Sequence, residues 1–418
     1  MAMKMYSGFE YLLIDLANAY GHDKLLFDER IQWAKDNMDQ LEALADRAET
    51  KPLYIKALMA IRKAQAGLPT GHMVGVDGCC SGIQVMSALT GCITGATNTG
   101  LITPNKRADA YSETTKIMNE ILGGAGNGVS VSRKEAKQAL MTVMYGSKKT
   151  PKDLFGEDTP ELSAFYQAAQ IIAPGAWELL QDLLASWRPY DLEHSWKMPD
   201  GYDVRVKVMT KKEARIEVDE LDHASFTYEF YENEGQKKGL SNAANVTHSV
   251  DAYILRAMHR RCNYDRSQAE YAAMCIEMEL IQRDMGTATT TDEFMPEKLA
   301  YYIAQYQRSG LADIVILPYL DQATVSCLST EHLQWLARTL EGMLQYQPFE
   351  LVTVHDEFKA HPNNINWVRW QYKEILADIA EANVLDDLLS QIYGVPGSFN
   401  KLSFNLADLI RDGEYGLC

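Results

Sequence analysis

Apolar residues recur at every third or fourth position through much of this chain, a spacing that is typical of amphipathic helices. It predicts helices over residues 8–65, 109–122, 130–145, 160–187, 248–262, 267–285 and 364–394. Ser132 followed by Glu135 has the sequence of a capping box, which marks the start of the 130–145 helix. The pattern therefore predicts a chain in which helices predominate.

A few short stretches have the pattern of strands instead. The sequence HMVGVDG predicts a strand that ends at Asp77, after which a helix restarts at Ser81. Residues 200–232 alternate and predict two or three strands, and residues 348–361 predict a strand, a tight turn at His355-Asp356 and a second strand. No internal repeat or low-complexity linker divides the chain, so we expect a helix-rich α+β fold with interleaved domains.

Composition places the chain among ordinary globular proteins. Its 418 residues, 46% hydrophobic and 23% charged, suffice for two or three domains and exclude wholesale disorder. No stretch of 18 apolar residues occurs and the N-terminus lacks a signal-peptide pattern, so we expect no membrane association. The seven cysteines form no C-x-x-C pair, which favours a reduced, intracellular chain without structural zinc.

The charge of the chain is unevenly distributed. The formal net charge of −17 argues against a protein that coats nucleic acid by bulk charge. Residues 267–350 carry 12 acidic and 4 basic residues, whereas residues 101–152 carry 9 basic and 4 acidic ones. The net acidity of the chain therefore does not extend to residues 101–152, which could form a basic surface.

Two aspartates end predicted strands, and each is followed by residues that suit a binding site. Small residues after Asp77 allow close approach of the backbone to a ligand, and Asp356 lies at the tip of a predicted hairpin. If the two strands are neighbours in one sheet, the carboxylates meet. Two carboxylates that hold two magnesium ions about 4 Å apart form a clamp for in-line phosphoryl transfer.

A third motif lies on the predicted 130–145 helix. Arg133, Lys137, Met141 and Tyr145 follow one another at intervals of four, so their side chains form one slowly winding stripe. Two cations on this stripe can neutralise a triphosphate, and the aromatic ring can stack on a base or contact a sugar. Together the three motifs have the chemical groups that a template-directed nucleotidyl transferase needs.

These residues resemble the single-subunit RNA polymerases of phages and mitochondria. The resemblance lies in DGCCSGIQ at 77–84 as motif A, in residues 133–147 as motif B and in HDEF at 355–358 as motif C. Further similar segments are ANAYGHDKLLFDERIQWAKDN at 17–37, ADAYSETTKIMNEIL at 108–122 and NVTHSVDAYILR at 245–256. They follow the family's order, from about residue 12 to residue 400.

The resemblance implies a role for each matching residue. Asp77, Asp356 and the backbone of Gly78 would hold two Mg²⁺ ions. Arg133, Lys137 and Lys24 would bind phosphates, and Lys137 is also a candidate general acid. The nucleotide contacts would come from Tyr111, Tyr145 and His248, of which the last two would select ribose.

The resemblance also implies a fold and a domain order. We expect a right-hand polymerase palm with a small antiparallel sheet and helical fingers, in which the family's N-terminal domain and thumb are absent. Residues 1–100 would hold the N-terminal helices and motif A, residues 101–247 the fingers and motif B, residues 248–350 a connection with an acidic insertion, and residues 351–418 motif C and the C-terminal helices. The ending RDGEYGLC departs from the Phe-Ala ending of the family.

Several partners are implied as well. The chain most resembles the larger subunit of the heterodimeric RNA polymerase II of N-four-like phages, so we expect a second subunit with the N-terminal and thumb functions. A DNA template, an RNA product, nucleoside triphosphates and a helper that binds single-stranded DNA complete the expected set. The location would be cytoplasmic, in the host cell if a phage encodes the chain.

Two alternatives remain open. A DNA polymerase of the bacterial repair type shares the motif B skeleton and His-Asp-Glu in motif C. In those enzymes Gln-Ile-Glu follows the motif A aspartate, whereas residues 80–84 here are CSGIQ. The other alternative is a catalytically inactive scaffold subunit, against which the presence of both aspartates and both motif B cations argues.

Overall fold

The structure is a computed structural model that describes residues 3–124, 130–232, 234, 242–287, 295–397 and 399–418. These residues form a helix-rich α+β fold with small antiparallel sheets, as the sequence predicts. The helices are α1 (Gly8–Ala17), α2 (Phe27–Asp36), α3 (Leu41–Leu44), α4 (Lys51–Gln65), α5 (Ser81–Thr90), α6 (Ile93–Asn98), α7 (Ala110–Gly124), α8 (Arg133–Val143), α9 (Lys149–Phe155), α10 (Pro160–Ile172), α11 (Pro174–Ala185), α12 (Asn242–Cys262), α13 (Arg266–Asp284), α14 (Glu297–Ser309), α15 (Thr330–Met343), α16 (Ile365–Glu381), α17 (Val384–Tyr393) and α18 (Leu406–Asp412). The strands are β1 (Val74–Asp77), β2 (Glu193–Lys197), β3 (Asp203–Lys207), β4 (Thr210–Val218), β5 (Ala224–Glu232), β6 (Val352–Val354) and β7 (Glu357–Ala360).

The predicted elements are present, with differences that have local causes. The helical stretch over 160–187 is two helices, because Pro174 begins α11 and cannot continue the helix before it. Helix α12 begins at Asn242, six residues before the predicted start. Strand β2 was not predicted, although its buried His194 and Trp196 alternate with more exposed neighbours.

The central sheet joins distant parts of the chain. Its strands lie in the order β1-β7-β6, all antiparallel, with Val74 opposite Ala360 and Asp77 opposite Glu357. Val76 and the other apolar residues of this face are buried, and the sheet packs against α1 and α16. The ends of β1 and β7 are therefore held in a fixed register by the core below them.

Helix α5 continues the chain directly from β1 into the centre of the molecule. All ten of its residues are buried, and it packs against α6, α11, α12 and α16. Gln84 donates to the carbonyl oxygens of Thr99 and Gly416, at 3.1 and 3.0 Å, and accepts from the Tyr372 hydroxyl at 2.7 Å. Since each of its polar atoms has a partner, the buried amide fixes α5 against α16 and the C-terminal segment.

The acidic region 267–350 has a hydrophobic core of its own in its described residues. Helices α13, α14 and α15 and the turns between them bury apolar side chains against one another. Arg260 of α12 donates to Asp313 at 2.6 Å, and this buried ion pair fastens the region to the rest of the molecule. The described part of this region is therefore a helical block with a core of its own.

Two hairpins complete the described chain. Strands β2 and β3 form one hairpin and β4 and β5 the other, and each pairs antiparallel over its whole length. None of the described helices combines the length and the apolarity that crossing a bilayer requires.

Arg369 connects the N-terminal segment, α16 and the C-terminal segment. Its guanidinium is almost fully buried and donates to the Tyr11 hydroxyl at 2.9 Å, to the Lys4 carbonyl at 3.3 Å and to the Glu414 carbonyl at 3.1 Å. It also forms an ion pair with the Glu414 carboxylate. A buried charge with this many partners is costly to leave unpaired.

Replacing Arg369 by methionine should lower the free energy of unfolding by about 3–5 kcal/mol, because Glu414 would keep a buried charge without its partner. Urea denaturation measures this change. Arg338 is the matched control, since its side chain is 45% exposed and its ion pairs are 3.3 Å long, so Arg338→Met should cost less than about 1 kcal/mol. Equal losses in the two variants would contradict this account.

Candidate active site

An open cleft of about 1130 Å³ lies where β1, the β6–β7 turn and helices α7, α8 and α12 meet. All nine residues that the sequence analysis assigns to metal or nucleotide line this cleft, and so does Met141. The nine residues are Lys24, Asp77, Gly78, Tyr111, Arg133, Lys137, Tyr145, His248 and Asp356. The fold thus brings together segments that lie far apart in the chain.

Asp77 and Asp356 form the floor of the cleft. The backbone N–H of Gly78 donates to the Asp356 carbonyl at 3.2 Å, and Asp77 pairs with Glu357 across the β1–β7 ladder. A Cβ at Gly78 would lie 3.3 Å from the Ser81 Cβ and 3.4 Å from the Asp356 carboxylate, so position 78 lies directly against both residues. The pairing of β1 with β7 therefore places both motif aspartates at one edge of the sheet.

The electrostatics of the floor favour a bound cation. Partial burial, together with the charges of Asp356 and Glu357, raises the pKa of Asp77 to about 6. Burial and the charge of Asp356 raise the pKa of Asp251 to about 7. Because the carboxylates repel one another when ionised, a divalent ion with a preference for oxygen ligands would relieve the repulsion.

A strained turn presents Asp356. Strand β6 ends at Val354 and β7 begins at Glu357, so His355 and Asp356 alone connect them. His355 has a φ of +56°, in the left-handed region that few residues other than glycine adopt. Strain of this kind is found where the surrounding structure holds a side chain for a function.

Helix α8 forms a basic wall of the cleft. Its first turn is held by reciprocal hydrogen bonds between Ser132 and Glu135, as the sequence predicts. Arg133 donates from Nε to Asp109 at 2.8 Å. Arg133 and Lys137 each lie 5.5 Å from the centre of the Tyr111 ring, which stands between the wall and the floor.

Tyr145 and His248 form an aromatic pair at another side of the cleft. Their ring centres are 4.8 Å apart and the planes are inclined by 35°. A Cβ at position 82 would lie 2.7 Å from the Tyr145 hydroxyl, so Gly82 at the start of α5 makes room for this ring. The sequence motif alone does not reveal this packing of motif B on motif A.

Both members of this pair are neutral near pH 7. Burial raises the pKa of Tyr145 well above its ordinary value. Burial, assisted by the charge of His355, lowers the pKa of His248 below its ordinary value. A neutral phenol and a neutral imidazole can each donate or accept a hydrogen bond, which is what recognition of a hydroxyl group requires.

Lys24 stands at the rim. Its ammonium lies 2.7 Å from the Asp23 carboxylate, and both side chains are about half exposed. Its charge is therefore available to a ligand that enters the cleft, although Asp23 competes for it.

Sequence reasoning missed other residues of the cleft. Asp251, three residues after His248, shares its helix face, so the spacing could have identified it. Arg107 also lines the cleft, but it lies in an irregular segment whose pattern carries no signal.

The last three residues of the chain lie beside motif A. Asp77 and Cys418 exchange two backbone hydrogen bonds, at 3.3 and 3.1 Å, and Cys79 donates its N–H to the Gly416 carbonyl at 3.4 Å. The sulfur atoms of Cys79 and Cys418 are 2.8 Å apart. The segment thus supports the backbone around Asp77, although its ending differs from the one the family resemblance leads us to expect.

Another group of metal-ligating side chains lies outside the cleft. Among the described residues, Glu217, Asp219 and His223 on the β4–β5 hairpin have ligand atoms within 4.8 Å of one another. All three are exposed, and His223 lies within hydrogen-bond distance of both carboxylates. Their geometry is that of an ordinary polar hairpin tip.

Comparison with known proteins agrees with the residues in the cleft. Residues 5–154, which include motifs A and B, match the family model described as DNA-dependent RNA polymerase. The chain is 25% identical over 356 residues to a DNA-directed RNA polymerase of Pseudomonas phage phiKMV. Over these segments the chain is similar to DNA-directed RNA polymerases.

Mitochondrial members of this polymerase family are similar too. The chain is 29% identical over 166 residues to the mitochondrial DNA-directed RNA polymerase of Neurospora crassa, and 26% identical over 225 residues to DNA-directed RNA polymerase 2, chloroplastic/mitochondrial, of Arabidopsis thaliana. The matches cover 72%, 34% and 44% of this chain for the phage, fungal and plant polymerases, and 42%, 12% and 22% of those polymerases. The chain thus spans less than half the length of the relatives it matches.

Asp356→Asn should raise the melting temperature at about pH 7.5 in the absence of divalent cations. The ordinary pKa of an aspartate is 3.8 and that of folded Asp77 is about 6, so ionisation of Asp77 increasingly opposes folding as the pH rises through this interval. Removing the charge of Asp356 weakens this opposition. Differential scanning fluorimetry with a chelator, over a pH series, measures the effect.

The gain should vanish well below pH 3.8, where Asp77 is protonated in both the folded and the unfolded state. A lower melting temperature at about pH 7.5, or a gain of equal size at every pH, would show that repulsion between the carboxylates does not raise the pKa of Asp77.

Proposed function

We propose that this chain is the catalytic part of a DNA-directed RNA polymerase, which adds ribonucleotides to the 3′-hydroxyl of an RNA on a DNA template. One observation carries the proposal. Asp77 ends β1 and Asp356, 279 residues later in the chain, lies in the turn before the adjacent strand β7, so both are at the floor of a cleft whose wall holds Arg133 and Lys137. Similarity to phage and mitochondrial polymerases supports the same reaction.

Asp77 and Asp356 would bind two Mg²⁺ ions, with the backbone of Gly78 beside them. The donor set fits, because carboxylate oxygens are the ligands that Mg²⁺ prefers and because the pKa of Asp77 is raised by partial burial and by neighbouring carboxylates whose repulsion a cation would relieve. When bound, the ions activate the attacking 3′-hydroxyl and neutralise charge on the phosphates.

The basic residues of the cleft would act on the triphosphate. Arg133 and Lys137 project from one wall and Lys24 from the rim, so that charge developing on the pyrophosphate meets cations on two sides. Lys137 would also donate the proton that the leaving pyrophosphate takes up. In this role the pairing of Arg133 with Asp109 holds the guanidinium in place before the nucleotide binds.

The aromatic residues would select and orient the nucleotide. Tyr145 and His248, both neutral and in contact, would bind the 2′-hydroxyl, which can both donate and accept a hydrogen bond. Tyr111, whose ring centre lies 5.5 Å from each of the two cations of α8, would position the nucleotide against the floor. Movement of α8 toward the palm would exclude water before the reaction.

The chain would contain the palm and the fingers of a right-hand polymerase. Residues 1–100 and 351–418 would form the palm and its supports, residues 101–247 the fingers, and residues 248–350 a connection with an acidic insertion. A second polypeptide would form part of the same polymerase and carry N-terminal and thumb functions, and a protein that binds single-stranded DNA would assist with the template.

Asp77→Asn and Asp356→Asn should each lower extension of an RNA primer on a DNA template by roughly 10³-fold or more, because each removes a metal-binding charge. A preassembled RNA–DNA hybrid and radiolabelled ribonucleotides measure this without a promoter. Asp408→Asn is the matched control, since this side chain is 85% exposed and outside the cleft.

The same variants have a readout that does not depend on activity. Mg²⁺ should raise the melting temperature of the wild-type chain and of Asp408→Asn, but that of neither active-site variant. Extension at wild-type rates by either active-site variant would refute the assignment of the metal ligands.

Tyr145→Phe should raise the use of deoxyribonucleotides relative to ribonucleotides by roughly tenfold, because it removes one of the two groups that contact the 2′-hydroxyl. Steady-state extension with each nucleotide alone, reported as a ratio of kcat/KM values, measures the change. Thr142→Val, at the end of α8 three residues before Tyr145 but outside the cleft, is the control. A wild-type chain that prefers deoxyribonucleotides would instead identify a DNA polymerase.

A further inference from the structure

Helix α13 presents an apolar stripe to solvent. Tyr271, Met274, Met278, Ile281 and Met285, just after the helix end, follow one another at alternating intervals of three and four residues. Between 44% and 68% of each residue is exposed. The spacing is that of positions a and d in a coiled coil, and it produces one straight seam about 21 Å long.

The chain's own core does not use this seam. The opposite face of α13 buries Ala269, Ala272, Cys275 and Ile276, and on that side the helix packs against α15. The helix is therefore apolar on two sides, one of which is covered within the chain. An exposed seam of large apolar side chains marks a binding surface rather than a solvated helix face.

One edge of the seam is acidic. Glu270, Glu277 and Asp284 precede the a positions at intervals of seven residues, and all three are exposed. The opposite edge carries the uncharged Gln268 and Gln282. In a coiled coil these flanking positions choose the partner by charge.

Both cations on this helix are already engaged. Arg266 pairs with Glu270 of the acidic edge at 2.8 Å and donates to the Tyr346 carbonyl at 3.0 Å. Arg283 pairs with Glu279 of the same helix and donates to the Ser326 and Leu328 carbonyls at 3.1 and 2.9 Å. It is therefore not free to bind a phosphate. A nucleic acid or an anionic membrane would meet the carboxylates of Glu277 and Asp284 and the Arg266–Glu270 pair along this edge, and no unpaired cation on the helix.

We propose that the α13 seam binds an amphipathic helix of another polypeptide, whose apolar stripe is flanked by lysine or arginine. Three of the five seam residues are methionines, whose flexible side chains adapt to the shape of a partner. A second copy of this chain fits poorly, because an antiparallel pairing would place the two acidic edges against each other and a parallel one would place acids opposite glutamines.

The seam is separate from the catalytic cleft. No residue of α13 lines the cleft, so a helix bound there leaves the path to Asp77 and Asp356 open. The surface lies in the acidic 267–350 region. Binding of a basic partner there would give a function to negative charges that lie outside the catalytic cleft. The inference does not depend on the proposed polymerase activity.

Binding of two designed peptides to the purified full chain tests the proposal. Each peptide has three helical heptads with leucine at a and d, and it carries either lysine or glutamate at e and g. Fluorescence anisotropy should detect binding of the lysine peptide at micromolar concentrations and at least tenfold weaker binding of the glutamate peptide. The combined variant Met274→Glu and Met278→Glu should bind the lysine peptide at least tenfold more weakly than the wild-type chain does.

Matched variants distinguish binding at the seam from nonspecific hydrophobic binding. Met59→Glu, on α4, changes a methionine that is 59% exposed but outside the seam, and should leave binding unchanged. The combination Glu270→Lys, Glu277→Lys and Asp284→Lys should reverse the preference between the two peptides. All these positions are exposed, so circular dichroism should find each variant folded.

Three outcomes would overturn the proposal. They are no binding of the lysine peptide to the wild-type chain, equal binding of both peptides, and binding that the seam variant leaves intact. Sedimentation tests whether a second copy of the chain occupies the seam instead. The proposal predicts that the wild-type chain is monomeric. A dimer that Met274→Glu dissociates would show that a second copy of the chain occupies the seam.

Discussion

The antiparallel pairing of β1 with β7 is the constraint on which the rest of the site depends. It sets Asp77 opposite Glu357 and holds Asp356 at the end of the same two strands. Burial of Val76 and Phe358 below the sheet prevents the strands from separating to relieve the repulsion of their carboxylates. Partial burial and this repulsion together raise the pKa of Asp77, and repulsion maintained in this way is typical of a place where a cation binds.

Helix α5 transmits this position to the rest of the cleft. It follows β1 directly, its Gln84 is fully hydrogen-bonded in the core, and its Gly82 lies against the ring of Tyr145. The floor that would bind metal and the tyrosine that would contact the sugar therefore rest on one rigid element. A displacement of the floor would therefore also displace the tyrosine, as a site that recognises both the phosphate and the ribose of a nucleotide would require.

Local signals in the sequence predict the individual motifs but not the packing between them. The cap at Ser132, the strand that ends at Asp77 and the turn at His355 are all visible as short patterns, and the structure contains them. Contact between Gly82 and Tyr145 depends on how two distant helices pack, which no local pattern specifies. The spacing of the α13 seam is visible in the sequence, but a buried helix face would have the same spacing. Only the exposure of these side chains in the structure distinguishes a binding surface from part of the core.

The most direct test of the central claim is templated addition of a single ribonucleotide. The purified chain would be mixed with Mg²⁺, one RNA primer and four DNA templates that differ only in the next base, and each nucleotide would be offered alone. The account predicts that the added ribonucleotide follows the template base in all four cases and that Asp356→Asn adds none. Addition that ignores the template, or equal addition by the Asp356→Asn variant, would contradict it.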